Sequence, residues 1–263
     1  MIRIHFHLLL PSLLVILAFL SPVMANPYEK SLSLDVPLSV GTLTLFLAGQ
    51  YSFQQMEFSG DPRAKEDLMP WDRPFAGTWN PTAGTVSNVL SVFVVAPFAM
   101  GALAWKEGDM TGSDYGTFLL MAVQIAAIEN GLNLACRSLE VWPRPFMYGR
   151  EGGSARDDPE AQGSFYSGHS SAAFATAVFT GIWFQKMYPN SSWTPWVWGA
   201  SLGVATTVAI LRVAAGKHFP SDVIVGALVG SAISYSVLKI HETEENQLGL
   251  AAFPGWIGLQ YKF

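Results

Sequence analysis

Residues 89–105 read VLSVFVVAPFAMGALAW, an apolar stretch with no charged residue that is long enough for a helix of four or more turns. Crossing a bilayer takes about 20 mostly apolar residues, which the surrounding segment supplies. Comparable apolar segments recur along the chain, and the full set is 35–53, 86–105, 115–136, 169–186, 194–215 and 221–240. Strand-like alternation is absent from most of them. The pattern predicts an all-α fold, a helical bundle of about six apolar helices.

Composition indicates where such a bundle resides. Half of the 263 residues are hydrophobic and only 13% are charged, against roughly 25% in ordinary soluble domains. This balance predicts a membrane-embedded bundle, and the modest mean hydropathy of +0.29 leaves a soluble periplasmic bundle as the alternative. The net charge of −5 and the lack of a basic run argue against nucleic-acid binding. Cys136 is the only cysteine, so no intramolecular disulfide can form.

The first 25 residues have the pattern of a secretory signal. Arg3 is followed by an apolar run over residues 8–20, and small residues precede a cleavage point before Asn26. An uncleaved anchor helix is the alternative. Either form predicts a protein of the bacterial cell envelope. No linker divides the remainder, so residues 26–263 are predicted to form one domain.

The basic residues suggest an orientation in the membrane. Lys106, Lys186 and Lys239 each follow an alternate apolar segment, whereas the clustered arginines lie at the opposite ends. This favours lysines in the cytoplasm and arginines facing the periplasm. A secreted N-terminus followed by six crossings would reverse that arrangement. We therefore predict that segment 35–53, with only about 14 residues of clean apolar sequence, does not cross.

Two segments outside the predicted helices permit more than one interpretation. Residues 54–85 contain Trp71 and Trp79, and they fit either an ordered loop over a site or an aromatic anchor at the membrane interface. The tail over residues 247–263 alternates briefly between apolar and polar residues. It fits either a short strand or an irregular segment.

Three polar clusters stand at helix ends that should share one face of the bundle. The first contains Arg137 and Arg144, at the exit of the third apolar segment. Guanidinium groups are suited to gripping phosphoryl oxygens, and Pro143 and Pro145 stiffen the backbone around Arg144. Arginines that merely mark a membrane boundary are the simpler interpretation of this cluster alone.

The second cluster, Tyr166-Ser167-Gly168-His169-Ser170, leads into the fourth apolar segment. Free backbone N–H groups at a helix start favour an anion, and Gly168 allows close approach. Ser167 can donate a hydrogen bond or cap the helix, while the imidazole of His169 can supply a proton near neutral pH. A plain helix cap is the simpler alternative.

The third cluster runs from Arg212 to Asp222 and joins the fifth and sixth apolar segments. His218 and Asp222 are four residues apart, and the carboxylate falls in the first turn of the next helix. A carboxylate bonded to one ring nitrogen would set the tautomer and leave the other nitrogen as a nucleophile. Arg212 adds a third cation. A structural histidine capped by an aspartate is the alternative.

Together the clusters resemble the type 2 phosphatidic acid phosphatase (PAP2) family, which is related to the class A acid phosphatases and the vanadium haloperoxidases. The family pattern is Lys-x6-Arg-Pro, then Pro-Ser-Gly-His, then Ser-Arg-x5-His-x3-Asp. Here the motif core spans residues 137–222, and the chain departs from the pattern at Arg137, Tyr166 and Leu211. Arginine in place of lysine keeps the charge but changes a compact ammonium into a planar fork.

The resemblance implies a role for each matched residue. His218 would be the nucleophile that takes the phosphoryl group, Asp222 its orienting carboxylate, and His169 the general acid for the leaving oxygen. The phosphate would be held by a set of donors comprising Arg137, Arg144, Arg212, Ser167 and the Gly168 amide. Neither a metal nor another cofactor is implied for the phosphatase branch.

The expected activity is hydrolysis of a phosphomonoester or diphosphate through a phosphohistidine intermediate. The expected partners are a phosphorylated lipid or small phosphate ester and the membrane itself, with the site facing the periplasm. A vanadium-dependent haloperoxidase and a non-catalytic lipid-binding envelope protein are the alternatives.

Overall fold

The structure, a computed structural model, describes residues 26–55, 64–139, 143–243, 248–253 and 256–261. Its α-helices are α1 (Leu32–Gln54), α2 (Pro81–Leu90), α3 (Ala96–Glu107), α4 (Gly112–Arg137), α5 (Gly168–Met187), α6 (Thr194–Ala214) and α7 (Pro220–His241). A 3-10 segment, Ser91–Val95, joins α2 to α3, so that the two form one rod. With that rod counted once, the predicted all-α bundle of about six apolar helices is confirmed.

Proline and capping chemistry explain several helix boundaries. Asn80 accepts a hydrogen bond from the Ala83 amide and Pro81 opens α2, which is the arrangement favoured at a helix start. The interruption between α2 and α3 precedes Pro97, whose ring cannot coexist with a regular helical carbonyl four residues earlier. At the C-terminus of the chain, β1 (Leu248–Phe253) and β2 (Trp256–Tyr261) form an antiparallel hairpin. The tail therefore contains short strands.

The helix α5 lies at the centre of the bundle, packed mainly against α6 and α7. A Cβ atom on Gly230 would come within 2.0 Å of the Ser171 carbonyl oxygen, and one on Gly226 within 2.5 Å of the Ser167 carbonyl oxygen. Glycine at these positions lets the α7 backbone approach α5 closely. This contact fixes the start of α7 beside the start of α5, which brings the second and third sequence clusters together.

Helix directions divide the bundle into two ends. Arg137 and Arg212 lie in the last turns of α4 and α6, at the end where α5 and α7 begin. The Arg137 guanidinium also lies 4.6 Å from the ring centroid of Phe53, which brings the C-terminus of α1 to the same end. We call this the arginine end. The opposite end, which carries Lys106, Lys186 and Lys239, is the lysine end.

Within the part of the chain that the structure describes, five helical rods are long and apolar enough to cross a membrane by length and composition: α1, the α2–α3 rod, α4, α6 and α7. Their outer faces expose large apolar side chains that a soluble bundle would bury, among them Leu47, Val92, Ile210, Ile224 and Leu228. This surface has the character of a membrane-embedded bundle. It disfavours the alternative of a soluble periplasmic protein.

The helix α1 is longer than its apolar core suggested. It covers 23 residues and packs along α4 in the same direction, with contacts from Asp35 beside Gln124 to Phe53 beside Arg137. The length argument against a crossing by segment 35–53 is therefore wrong. Whether α1 crosses stays a prediction.

The described chain begins at the lysine end. Tyr28 forms a β-bridge with Glu242, and Asp35 Oδ1 lies 2.7 Å from His241 Nε2. Cleavage before Asn26 would leave this end outside the cytoplasm, whereas the lysine distribution predicts that it is inside. The two predictions cannot both hold. The signal sequence itself, residues 1–25, lies outside the described residues.

Candidate active site

A cavity of about 270 Å³ opens at the arginine end of the bundle. The lining residues that the sequence predicted are Arg137, Arg144, Gly168, His169, Arg212 and His218. Three clusters that are remote in sequence therefore meet around one space, as the family resemblance requires. Ser167 and Asp222 lie just behind its wall, fully buried.

Two of the three arginines carry hydrogen-bond donors that the described residues do not use. Arg144 and Arg212 are less than a tenth exposed, and the Nε atom of each is buried without a hydrogen-bond partner among the described residues. Burial, reinforced by Arg137, lowers the pKa of Arg144 to about 10, so its guanidinium remains charged at neutral pH. Buried charges with spare donors provide a binding site for an anion.

One carboxylate contacts two of these guanidiniums. Glu160 Oε2 lies 3.2 Å from Arg137 Nη2 and 3.4 Å from Arg144 Nη2. The Glu160 side chain is half-exposed, at 50%, whereas the two arginines are nearly enclosed. Nothing in the local sequence, a short turn at Pro159–Gln162, marked this residue.

The third arginine is positioned by a helix that the sequence analysis did not connect with the site. Arg212 Nη1 donates to Asn88 Oδ1 at 3.1 Å and to Ser87 Oγ at 3.3 Å. Asn88 Oδ1 is also 3.1 Å from His169 Nε2. The α2 side chains therefore link the guanidinium to the imidazole. Ser87 and Asn88, polar residues in a largely apolar segment, were the only available signal.

His218 is held by a backbone carbonyl group. Its Nδ1 atom lies 2.8 Å from the Ser164 carbonyl oxygen and 3.8 Å from Asp222 Oδ2. Because a carbonyl can only accept, the neutral ring carries its proton on Nδ1, and the lone pair is on Nε2. The prediction that the Asp222 carboxylate bonds the ring directly is therefore corrected: Ser164 provides the hydrogen-bond acceptor.

Asp222 supports this arrangement from one step further away. Its Oδ2 accepts a hydrogen bond from Ser164 Oγ at 2.6 Å and another from the Phe219 amide at 2.9 Å. The second bond caps the start of α7, where a carboxylate is favoured. The residue thus ties Ser164, the acceptor for His218, to the helix that follows His218.

Burial lowers the pKa of His218 well below its usual range, and the nearby Arg212 and Arg144 charges lower it further. The imidazole is consequently neutral at physiological pH. A neutral ring with its proton held on Nδ1 presents Nε2 as a nucleophile.

The start of α5 combines a cap with a close approach. Ser167 Oγ accepts hydrogen bonds from the Ser170 amide and hydroxyl, so it caps the helix as one sequence interpretation expected. A direct contact of Ser167 with phosphate stays a prediction. Gly168 lines the cavity, and a Cβ atom there would lie 2.9 Å from Asn133 Oδ1. Asn133 in turn donates to the Tyr166 carbonyl at 2.7 Å.

Part of the segment between α1 and α2 packs against the loop that carries His218. Asp72 accepts hydrogen bonds from the amide and hydroxyl of Ser221, at 3.1 and 2.6 Å. The Nζ atom of Lys217 lies over the Trp79 and Phe146 rings, 5.1 and 4.9 Å from their centroids. Residues 64–80 are therefore ordered around the site, which favours the first of their two sequence interpretations.

Lys217 contributes a fourth cation to the cavity lining. Burial lowers its pKa, and the Arg144 charge lowers it further. The arrangement as a whole can bind a tetrahedral anion with several cations, attack it with one imidazole and exchange a proton through a second.

Comparison with known proteins places this arrangement in a family. The model of the family described as "PAP2 superfamily" matches residues 115–245, a range that contains the whole motif core. The chain is 38% identical over 205 residues to a lipid A 1-phosphatase of Porphyromonas gingivalis, and it is 38% identical over 81 residues to a probable diacylglycerol pyrophosphate phosphatase of Schizosaccharomyces pombe.

These alignments cover the relatives only in part. The first includes 78% of this chain and 37% of the Porphyromonas protein, and the second includes 29% of each protein. No solved structure gives a significant match. The range that matches the family model contains the two histidines and the three arginines that line the cavity. The chain belongs to the PAP2 superfamily.

Proposed function

We propose that the protein is a phosphatase that removes a phosphate group from a membrane lipid through a phosphohistidine intermediate on His218. The Nε2 lone pair attacks phosphorus and forms an N–P bond, while the bond from phosphorus to the ester oxygen breaks. His169 donates a proton to the departing oxygen. It then takes a proton from the water that cleaves the N–P bond and releases inorganic phosphate.

One observation carries this proposal: the neutral His218 ring has its Nδ1 proton held by the Ser164 carbonyl in a cavity lined by three guanidiniums. The nucleophilic nitrogen and the cations would then act on the same phosphorus. The guanidiniums would stabilise the charge that builds on the phosphoryl oxygens, which is the main demand of phosphoryl transfer.

Two further observations support a lipid substrate. The cavity lies at the end of a bundle with membrane-crossing length and an apolar outer surface, so a lipid could present its headgroup there without leaving the bilayer. The names of both relatives also refer to phosphate groups on lipids. We further propose a location in the bacterial cell envelope with the arginine end facing the periplasm.

Phosphate release in detergent tests the proposal. Wild-type protein, His218→Ala and His169→Ala would be compared on diacylglycerol phosphate and on a soluble aryl phosphate. Removal of the nucleophile is expected to lower kcat by about 10³-fold or more, and removal of the proton donor by about 10²-fold or more. His241→Gln is the matched control, because this buried histidine lies at the lysine end.

The intermediate has its own test. Acid lability and alkali stability of protein-bound phosphate, together with its loss in His218→Ala, would identify a phosphohistidine. Release of phosphate from the substrate by His218→Ala at the wild-type rate would overturn the assignment of His218 as the nucleophile. Bromide oxidation that depends on added vanadate would support the haloperoxidase alternative, and phosphate binding without any turnover would support the binding protein.

A further inference from the structure

Glu160 occupies an unusual position for a residue in a phosphate site. Its carboxylate contacts Arg137 and Arg144 together, the two guanidiniums of the first sequence cluster. A phosphoryl group bound by both arginines would need the same donors. A phosphoryl group and the Glu160 carboxylate cannot both contact these guanidiniums, at the 3.2 and 3.4 Å of the present ion pairs, without strong repulsion between the two anions.

We propose that Glu160 is a resident competitor, a carboxylate that takes the place of phosphoryl oxygens in the resting protein and that an incoming phosphate must displace. This inference rests on the proposed function, since it concerns the same arginines. It assigns to Glu160 the task of limiting how tightly the site holds inorganic phosphate, the product that a phosphatase must release.

The exposure of the three side chains supports displacement of the glutamate rather than of the arginines. Glu160 is 50% exposed, whereas the side chains of Arg137 and Arg144 are 12% and 10% exposed. The carboxylate can therefore rotate into solvent and be hydrated at little cost. The guanidiniums have no such freedom, and without a carboxylate they would require another anion.

The backbone around Glu160 is held independently of its side chain. The Glu160 amide donates to Asp158 Oδ1 at 2.9 Å, and the Gly163 amide donates to the Glu160 carbonyl at 3.2 Å. The neighbouring Ala161 carbonyl accepts from the Arg144 amide at 2.8 Å. A substitution at position 160 should therefore leave the turn, and the backbone of Arg144, in place.

The test measures inorganic phosphate directly, as a ligand by calorimetry and as a product inhibitor. Glu160→Gln retains the shape and removes the charge, and Glu160→Ala removes both. Each variant is expected to bind inorganic phosphate about tenfold more tightly, the effect expected when a half-exposed carboxylate that forms two ion pairs no longer competes. Glu151→Gln, an exposed charge in the same segment that does not line the cavity, is the matched control and should not change the affinity.

The opposite outcomes are equally informative. If Glu160 instead aligns the arginines for catalysis, both variants will bind phosphate more weakly and the inhibition constant will rise, which would overturn the inference. An unchanged affinity, or no phosphate binding by any of the proteins, would overturn it as well. Calorimetry needs no turnover, so tighter binding by the variants without hydrolysis by the wild type would refute the proposed function, whereas the competition between Glu160 and phosphate for the two arginines would stand.

Discussion

Replacing Asp222 with asparagine separates two ways in which a carboxylate can serve a nucleophilic histidine. In enzymes where the carboxylate bonds the ring directly, the same substitution disturbs the tautomer and costs about 10⁴-fold in kcat. Here the Ser164 carbonyl sets the tautomer of His218, and no side-chain substitution removes a backbone carbonyl. The Asp222→Asn variant should therefore keep the correct tautomer and lose only the negative charge.

The size of the remaining loss follows from the distance between the two groups. Asp222 Oδ2 lies 3.8 Å from His218 Nδ1, and the ring becomes cationic as Nε2 bonds to phosphorus. With an effective dielectric constant of about 20, a charge pair at this separation is worth about 4 kcal/mol. Since about 1.4 kcal/mol corresponds to a factor of ten, the upper limit is about 10³-fold. We expect kcat for Asp222→Asn to fall by about 10²-fold to 10³-fold.

The assay is phosphate release by purified protein in detergent, with thermal unfolding measured in parallel. Asp72→Asn is the matched control, because Asp72 is another buried carboxylate that accepts hydrogen bonds at the start of α7, from Ser221. It should lower stability, by about 1–3 kcal/mol, with little effect on kcat. Ser164→Ala retains the backbone carbonyl, and its kcat should fall by about tenfold or less. A loss of 10⁴-fold or more in Asp222→Asn, with the fold intact, would refute the carbonyl assignment.

Three other expectations follow from the site and the topology. Gly168→Ala should lower kcat/KM by about tenfold or more, because the added methyl group displaces Asn133. Gly199→Ala is the control, since a methyl group there meets no atom within 4 Å and should leave kcat/KM unchanged. Equal losses of kcat/KM in the two variants would contradict this expectation. Burial and neighbouring guanidiniums lower the pKa of His218. Its ring signals in ¹⁵N NMR should therefore show the Nδ1–H tautomer, and they should not titrate as the pH falls from 8 to 6. A titration midpoint near the ordinary pKa of 6.5 would be inconsistent with that environment. If the arginine end faces the periplasm, the lysine end, where the described chain begins, lies in the cytoplasm. The signal segment would then not be cleaved, and the mass of the intact protein should include residues 1–25. A cysteine introduced at the lysine end should react with membrane-impermeant reagents only after the cells are opened.

Much of the site could be predicted from sequence because its groups lie in short motifs. Arg137, Arg144, His169, Arg212 and His218 all line the cavity, as their order and spacing indicated. Spacing within a motif constrains which residues share a helix end, and the alternating helix directions bring those ends together. The role of Asp222 was harder to predict, because a carboxylate four residues after a histidine can satisfy the ring or the helix start.

The residues that the sequence analysis missed make contacts between distant parts of the chain. Asn88 is 124 residues from Arg212 and 81 from His169, and Ser164 is 54 residues from His218. Glu160 lies in a turn with no distinctive pattern. Each contact depends on how helices and loops pack, and a single sequence carries no direct record of that packing.

The sequence by itself determined the number of apolar helices, their approximate limits and the residue types available for phosphate chemistry, because helical periodicity and charge are local properties. Only the tertiary structure decided which acceptor holds His218, which carboxylate meets the arginines and at which end of the bundle the described chain begins. Those outcomes depend on competition among several possible partners in a packed interior. Geometry at the scale of a few ångströms, rather than residue type, resolves that competition.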